Sequence, residues 1–179
     1  SPRLGRKERQ ESLERIASHV CEKLCELTNA EASSFRLLHQ TTGDIVEYGS
    51  FATPLGLAPL EVKAGASFAR TKINISAWTS SAVAFAFVYQ GDKDVMVFSD
   101  VGRIPKEFKQ QGLQELLACR DNTRSEAIVR IFRGGLATAV INVESPIHSA
   151  FGTERRFLEE CGAVLSDFLT RLEVAGDRA

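Results

Sequence analysis

Residues 125–146 read SEAIVRIFRGGLATAVINVESP, and this stretch decides the fold. Two β-rich runs meet at Arg133-Gly134-Gly135. Such a junction folds the runs back on each other as an antiparallel hairpin. Pro146 ends the second strand, because it cannot continue a ladder. An amphipathic pattern follows from Thr153 to Val174, with Phe157, Cys161, Val164, Leu165, Phe168, Leu169 and Leu172 apolar. It predicts a helix that covers one face of the sheet.

Working outward, residues 7–28 carry Leu13, Ile16, Ala17, Val20, Leu24 and Leu27 at roughly the helical period. Residues 33–40 and 45–52 flank Thr41-Thr42-Gly43-Asp44, a second hairpin. Two prolines and Gly56 make residues 54–59 a loop. Residues 67–77 alternate loosely and are expected as a strand. Ser80 or Ser81 caps a helix that runs through Ala82, Phe85, Phe87, Val88 and Tyr89, and Gly91-Asp92 stops it. Val95 to Phe98 is a short buried strand. Residues 99–123 are polar and long for a connection, with helical turns expected after Pro105 and at Gly112. Connections of that length are usually functional.

This order predicts an α+β fold built on one mainly antiparallel sheet of five or six strands. The N- and C-terminal helices pack on one face, and the short helices and long loop lie on the other. A single domain is expected over residues 1–179. It comprises an N-terminal helix (7–28), a sheet and pocket region (33–146) and a C-terminal helix (153–174). The space between sheet and loop is a natural ligand pocket.

The 179 residues are 44% hydrophobic and 25% charged, enough to bury a core. A net charge of −1 gives no global electrostatic case for nucleic acid or an anionic membrane. The basic start (Arg3, Arg6, Lys7, Arg9) is broken by Glu8 and Glu11 and reads as a solvated helix lead-in. No apolar run is long enough to span a bilayer, and the start shows no signal-peptide pattern. Four cysteines without disulfide or zinc-ribbon spacing point to a reduced, cytoplasmic setting. Met96 is the only methionine, so the chain is expected to be a piece of a larger protein or to have a processed start.

Several segments resemble the GAF domain, a small-molecule-sensing module. Ser125-Glu126-Ala127-Ile128-Val129 is similar to its Ser-Glu-Leu-Ala-Val strand. Residues 139–146 (AVINVESP) resemble its Gly-Val-Leu-Asn-Val-Glu-Ser segment. Phe151, Glu154, Phe157 and Leu158 resemble the start of its last helix, and residues 91–101 the passage before its pocket loop. The chain departs from the pattern at Arg130, where proline is frequent, and at Ala139, where glycine is. The glycine-marked entry to the middle helix is missing near residues 80–83. The resemblance implies a regulatory, non-catalytic, ligand-sensing and dimerisation domain of a signalling or transcription-control protein. One alternative is a GAF module without a ligand, used for dimerisation or docking.

Another alternative rests on Cys119. Ala118-Cys119 followed by Ser125-Glu126 resembles free methionine-R-sulfoxide reductases, enzymes of GAF fold. There a loop cysteine attacks the sulfoxide and a glutamate at the Glu126 position helps to bind substrate. Arg120 would favour the thiolate that such chemistry needs. The partner cysteines expected before Asp100 are absent, and the two acids of the last strand correspond to Asn142 and Glu144.

By position, Trp78, Phe98 and Phe108 are the expected apolar pocket walls. Asp100, Arg103, Arg120, Glu126 and Arg130 are the expected polar contacts. A guanidinium suits an anionic ligand because its fork binds carboxylate or phosphate at two points. Cys21 and Cys25, one helical turn apart, and Cys161 read as packed thiols, not metal ligands. His19, His39 and His148 are scattered, and no cofactor or metal is expected. The last helix has more apolar surface than one sheet face needs. The two end helices are therefore expected to pair with each other and with those of a second copy, as a homodimer.

Overall fold

The computed structural model describes residues 5–57, 73–117 and 120–177. Helix α1 (Arg6–Leu27) leads into strands β1 (Ala32–Leu38) and β2 (Asp44–Ala52). A short strand β3 (Ile73–Asn74), helix α2 (Ala82–Val88), strand β4 (Val95–Phe98) and helix α3 (Lys106–Gln110) follow. The hairpin of β5 (Ser125–Arg133) and β6 (Leu136–Ser145) comes next, then helix α4 (Arg155–Asp177). The six strands form one sheet in the order β3-β2-β1-β6-β5-β4, with every neighbouring pair antiparallel. The expected fold class is the one found.

The sequence signals that shaped the hairpins hold. Gly134 and Gly135 have φ of +56° and +81°, the left-handed pair of a tight turn that suits twisted strands. That turn brings Arg133 opposite Leu136, and a bulge at the Ile131–Phe132 step shifts the register by one residue beyond it. Ser81 caps α2, its hydroxyl accepting the Ala84 N–H at 3.2 Å. Two local expectations fail. Of residues 67–77, only Ile73 and Asn74 among the described ones are strand, and a 3-10 turn takes over at Ile75–Ala77. The Asn74 side chain accepts the Ser76 N–H at 3.0 Å and draws the chain out of the extended form. Gly112 starts no helical turn, since the described residues after it are irregular.

Strand alternation divides the core in two. On one face Phe35, Ala127, Val129, Ile131, Ala139, Ile141 and Val143 meet Ala17, Cys21 and Leu24 of α1 and Leu158 of α4. On the other, Met96, Phe98, Ile128 and Val140 meet Val83 and Phe85 of α2 and Phe108 of α3. Helix α1 lies mainly on β1 and β2, and α4 on β5. Among the described residues each end helix docks on its own half of the sheet and not chiefly on the other helix. Helix α1 approaches β2 closely: a Cβ added at Gly49 would lie 2.4 Å from the Ser18 backbone nitrogen. No described helix is long and apolar enough to cross a membrane.

That contact yields a prediction. Replacing Gly49 with alanine forces the helix off the strand and lowers stability by about 1–3 kcal/mol, the usual scale of overpacking. Urea unfolding measures it; a loss below about 0.5 kcal/mol would show that α1 is not seated there.

Candidate functional site

The β5–β6 register sets two glutamates side by side. Glu126 pairs directly with Glu144, and Ile128 with Asn142. On the other flank of β6, Ser34 of β1 pairs with Asn142. Alternation then turns Glu126, Asn142, Glu144, Ser34 and Arg36 to the face away from the end helices. All are interior: Arg36 is 3% exposed, Glu126 5%, Glu144 6% and Asn142 2%. A bulge helps to build the group. An extra β2 residue, Tyr48, is accommodated at the Phe35–Arg36 step and sets Glu47 opposite Arg36.

The partners are specific. The Arg36 guanidinium lies 3.3 Å from Glu47, and its Nε donates to Ser34 Oγ at 3.2 Å. Arg120 Nε is 3.5 Å from Glu144 Oε2, and the Thr123 hydroxyl donates to Glu144 Oε1 at 3.3 Å. Arg120 also donates to the Gly56 carbonyl, and Asn122 to the Leu55 carbonyl at 2.6 Å. These bonds tie the segment before β5 to the turn after β2. Asn142 lies on the same face two residues from Glu144, with its Oδ1 buried and without a donor.

Burial pushes the Glu126 carboxyl up to about 8, and the neighbouring Glu144 charge adds to the rise against Arg36 and Asn142. Glu144 is also raised by burial, opposed first by Arg120 and then by Thr123 and Arg36. The two titrate as a pair. Glu144 holds the nearer cation and the hydroxyl donor, so the charge settles there and the proton on Glu126.

The residues expected at the site divide. Arg120, Glu126 and Phe98 come together, with Phe98 directly opposite Glu126 on β4. Phe108 is a core hub, its ring 5.2–5.8 Å from those of Phe98, Tyr89 and Phe85. Trp78 packs at the edge of the same core, against Gly112. Asp100 sits past the end of β4, where it accepts the Gly102 N–H at 2.8 Å and lies 3.8 Å from His148. Arg103 is largely exposed beside it.

Arg130 serves another purpose. Its guanidinium donates to the carbonyls of Tyr89, Gly91 and Lys93 at 3.2–3.4 Å and stacks between Tyr89 and Phe132. It clamps the turn after α2, which explains a charge where the related pattern has proline.

Cys119 lies outside the described residues. Burial holds the Cys21 thiol up at about 11 and that of Cys25 at about 12, and it raises Cys161. None of these three is a ready nucleophile. Arg36, Ser34 and Thr123 escaped the reading by position. Ser34 and Arg36 are polar residues at alternate places of a strand that is otherwise interior, and Thr123 lies just before β5.

No family model matches this sequence, and no curated protein sequence matches it either. Solved structures do. The type II free methionine-R-sulfoxide reductase of Thermoplasma acidophilum is 19% identical with a TM-score of 0.63, over 88% of this chain and 92% of that one. The free methionine-R-sulfoxide reductase of Neisseria meningitidis, in complex with its substrate, is 18% identical with a TM-score of 0.63, over 93% and 90%. The GAF domain of an Acinetobacter phosphoenolpyruvate-protein phosphotransferase is 14% identical with a TM-score of 0.56, over 94% and 85%. At these identities the likeness is one of architecture, and with its sheet order and helix placement the chain carries the GAF fold.

Proposed function

We propose that this domain binds a small molecule over the Glu126–Glu144 face and acts as a regulatory, non-catalytic sensor in the cytoplasm. The supporting observation is the buried carboxyl pair. Two acids facing each other in a sheet interior weaken the fold relative to apolar residues of the same size. Ionisable groups displaced by burial and a charged neighbour, as these are, mark sites of function more often than sites of structure. A ligand that satisfies them recovers the lost stability, which is how a sensor distinguishes its empty and loaded states.

Dimerisation is the second half of the proposal. Ile16 on α1 and Phe157 and Val164 on α4 are apolar and exposed, with Val164 at 69%. A second copy covering them would join the two helical faces. Native mass spectrometry of freshly purified protein tests both halves. The expected spectrum is a dimer with a co-purified molecule of small mass. An empty monomer at high concentration would overturn the reading.

The pair also sets a pH dependence. The Glu126 pKa is raised on folding, so its contribution to stability is complete below the ordinary carboxylate range near 4.5. That contribution is lost as pH rises through about 8. Glu126→Gln keeps the neutral form at every pH. Between pH 5 and 8.5 the ligand-free wild type should lose roughly 3–6 °C more in Tm than this variant, equivalent to about 1–2 kcal/mol. Parallel melting curves for the two proteins would mean that the pair does not titrate in the fold.

A second reading, reduction of free methionine-R-sulfoxide, is favoured by the two reductase neighbours and by the burial of Glu126 where the resemblance puts a substrate-binding glutamate. It requires Cys119 as the attacking thiolate. The sensor reading predicts no thiol-dependent turnover of that sulfoxide. Turnover by the wild type that disappears in Cys119→Ser would replace the sensor with an enzyme.

A further inference from the structure

Strand β2 carries its bulge between two contacts on opposite faces of the sheet. Along a regular strand, successive side chains alternate between faces. Here Phe35 pairs with Gly49 and Arg36 with Glu47, so Tyr48 is the extra residue. A bulge lets two successive residues share a face. Tyr48 packs against the core beneath the end helices, and Gly49 is buried on the same side under Ala17 and Ser18 of α1. The Cys21 thiol of α1, 0% exposed, donates to the Gly49 carbonyl at 3.8 Å. On the opposite face Glu47 lies 3.3 Å from Arg36, with side chains 20% and 3% exposed.

The same two strands can pair in a second way. If the bulge moves one residue toward the turn at Gly43, Glu47 becomes the extra residue and Tyr48 falls opposite Arg36. The pairs on either side, Phe35 with Gly49 and Leu37 with Val46, stay as they are. Tyr48 then leaves the layer beneath α1 and lays its ring on the face that holds Arg36. Each arrangement has its own compensation. The observed one has the Arg36–Glu47 ion pair, and the other sets an aromatic ring against the guanidinium.

We infer that β2 is a register switch, in which the Arg36–Glu47 pair keeps Tyr48 beneath α1 and release of the pair transfers Tyr48 to the site face and loosens α1. Its trigger rests on the small-molecule reading above: an anionic group bound at the buried polar face competes with Glu47 for the Arg36 guanidinium. The switch itself does not depend on the ligand. Only residues 47 and 48 change places, as suits an element with two discrete arrangements inside a close-packed sheet.

The test breaks the pair without a ligand. Tyr48 and Tyr89 are the two tyrosines of the chain, so 3-fluorotyrosine labelling gives two signals, which Tyr48→Phe assigns. Glu47→Gln removes the charge and keeps the shape. The expected result is a shifted or doubled Tyr48 fluorine signal with Tyr89 unmoved. Native-state alkylation, read by mass spectrometry, should be about tenfold faster at Cys21 and within about twofold of wild type at Cys161 of α4. Arg36→Lys, which retains the charge but loses the planar fork, should move both readouts in the same direction by less. An unmoved Tyr48 signal in folded Glu47→Gln overturns the switch. So does equal acceleration at Cys21 and Cys161, which reports general loosening. Failure of both variants to fold, read by circular dichroism, overturns it as well, because a switch must survive in either arrangement. Native mass spectrometry decides the small-molecule reading separately. A bound molecule with a fixed Tyr48 keeps the sensor and discards the switch, and an empty protein with a moving Tyr48 does the reverse.

Discussion

Antiparallel pairing between β5 and β6 leaves Glu126 no choice of neighbour. The ladder starts at the Gly134-Gly135 turn, a bulge at the Ile131–Phe132 step shifts it by one residue, and beyond that step Glu126 falls opposite Glu144. A slip of β6 by one residue would send Glu144 into the apolar layer under α4 and bring Val143 to the other side. The hydrophobic face therefore enforces the placement of the acids. Burial on the helical side, spread over Val129, Ile131, Ile141 and Leu158, holds a charged pair in the interior that would not assemble there by its own attraction. The arginines follow from the same constraint. Arg120 stands by Glu144 and Arg36 on the neighbouring strand, and each lowers the cost of keeping a carboxylate out of water.

The face away from the end helices has an apolar part and a polar part. Around Phe108, three aromatic rings in tilted and edge contacts fix α2 and α3 to the sheet near β4. Arg130 secures the turn that joins α2 to β4 by filling three carbonyls. This part is built to stay still. The polar part sits where β1 and β6 pass under the segment before β5, and it is held by hydrogen bonds and ion pairs that depend on protonation. Rigid scaffold and responsive chemistry thus share one surface, separated by two or three residues along β5.

How much of this was legible in the sequence depended on whether the deciding signal was local. Glycine turns, serine caps and the helical stripes of α1 and α4 are local, and they gave the sheet, its hairpins and its two layers. Glu126 is marked by the resemblance around Ser125, and Arg120 by its position in the loop before it. Arg130, expected as a polar contact of the pocket, has the carbonyls of Tyr89, Gly91 and Lys93 around it, a set of partners that no local pattern of β5 announces. Arg36 alternates with Ser34 along β1, but its pairing with Glu47 depends on the Tyr48 bulge, which shifts β2 by one residue and appears in no pattern of β1. Asn142 and Glu144 were noticed as departures from the reductase arrangement, yet their burial against Glu126 required the register. Of the run expected as a strand, residues 67–72 lie outside the described residues, and Ile75–Ala77 leave the extended form because Asn74 bonds its own downstream backbone, a competition that alternation does not report.

The placement of the pair also bears on how a binding event would leave the site. Glu126 and Glu144 belong to strands whose alternate side chains, Ala127, Val129 and Val143, line the layer beneath α4. The backbone that carries the acids on one side carries the floor of the helix on the other. Such a floor is close-packed, so it tolerates discrete shifts better than gradual deformation. Phe132 extends the link at the strand end, where its N–H donates to Ser166 of α4 at 3.1 Å. A change of charge at Glu126 that alters the β5–β6 ladder is therefore felt by α4 through one layer of side chains and one hydrogen bond. Signal transfer on this geometry needs no long route across the protein, only a helix with two nearly equal seats on the same pair of strands.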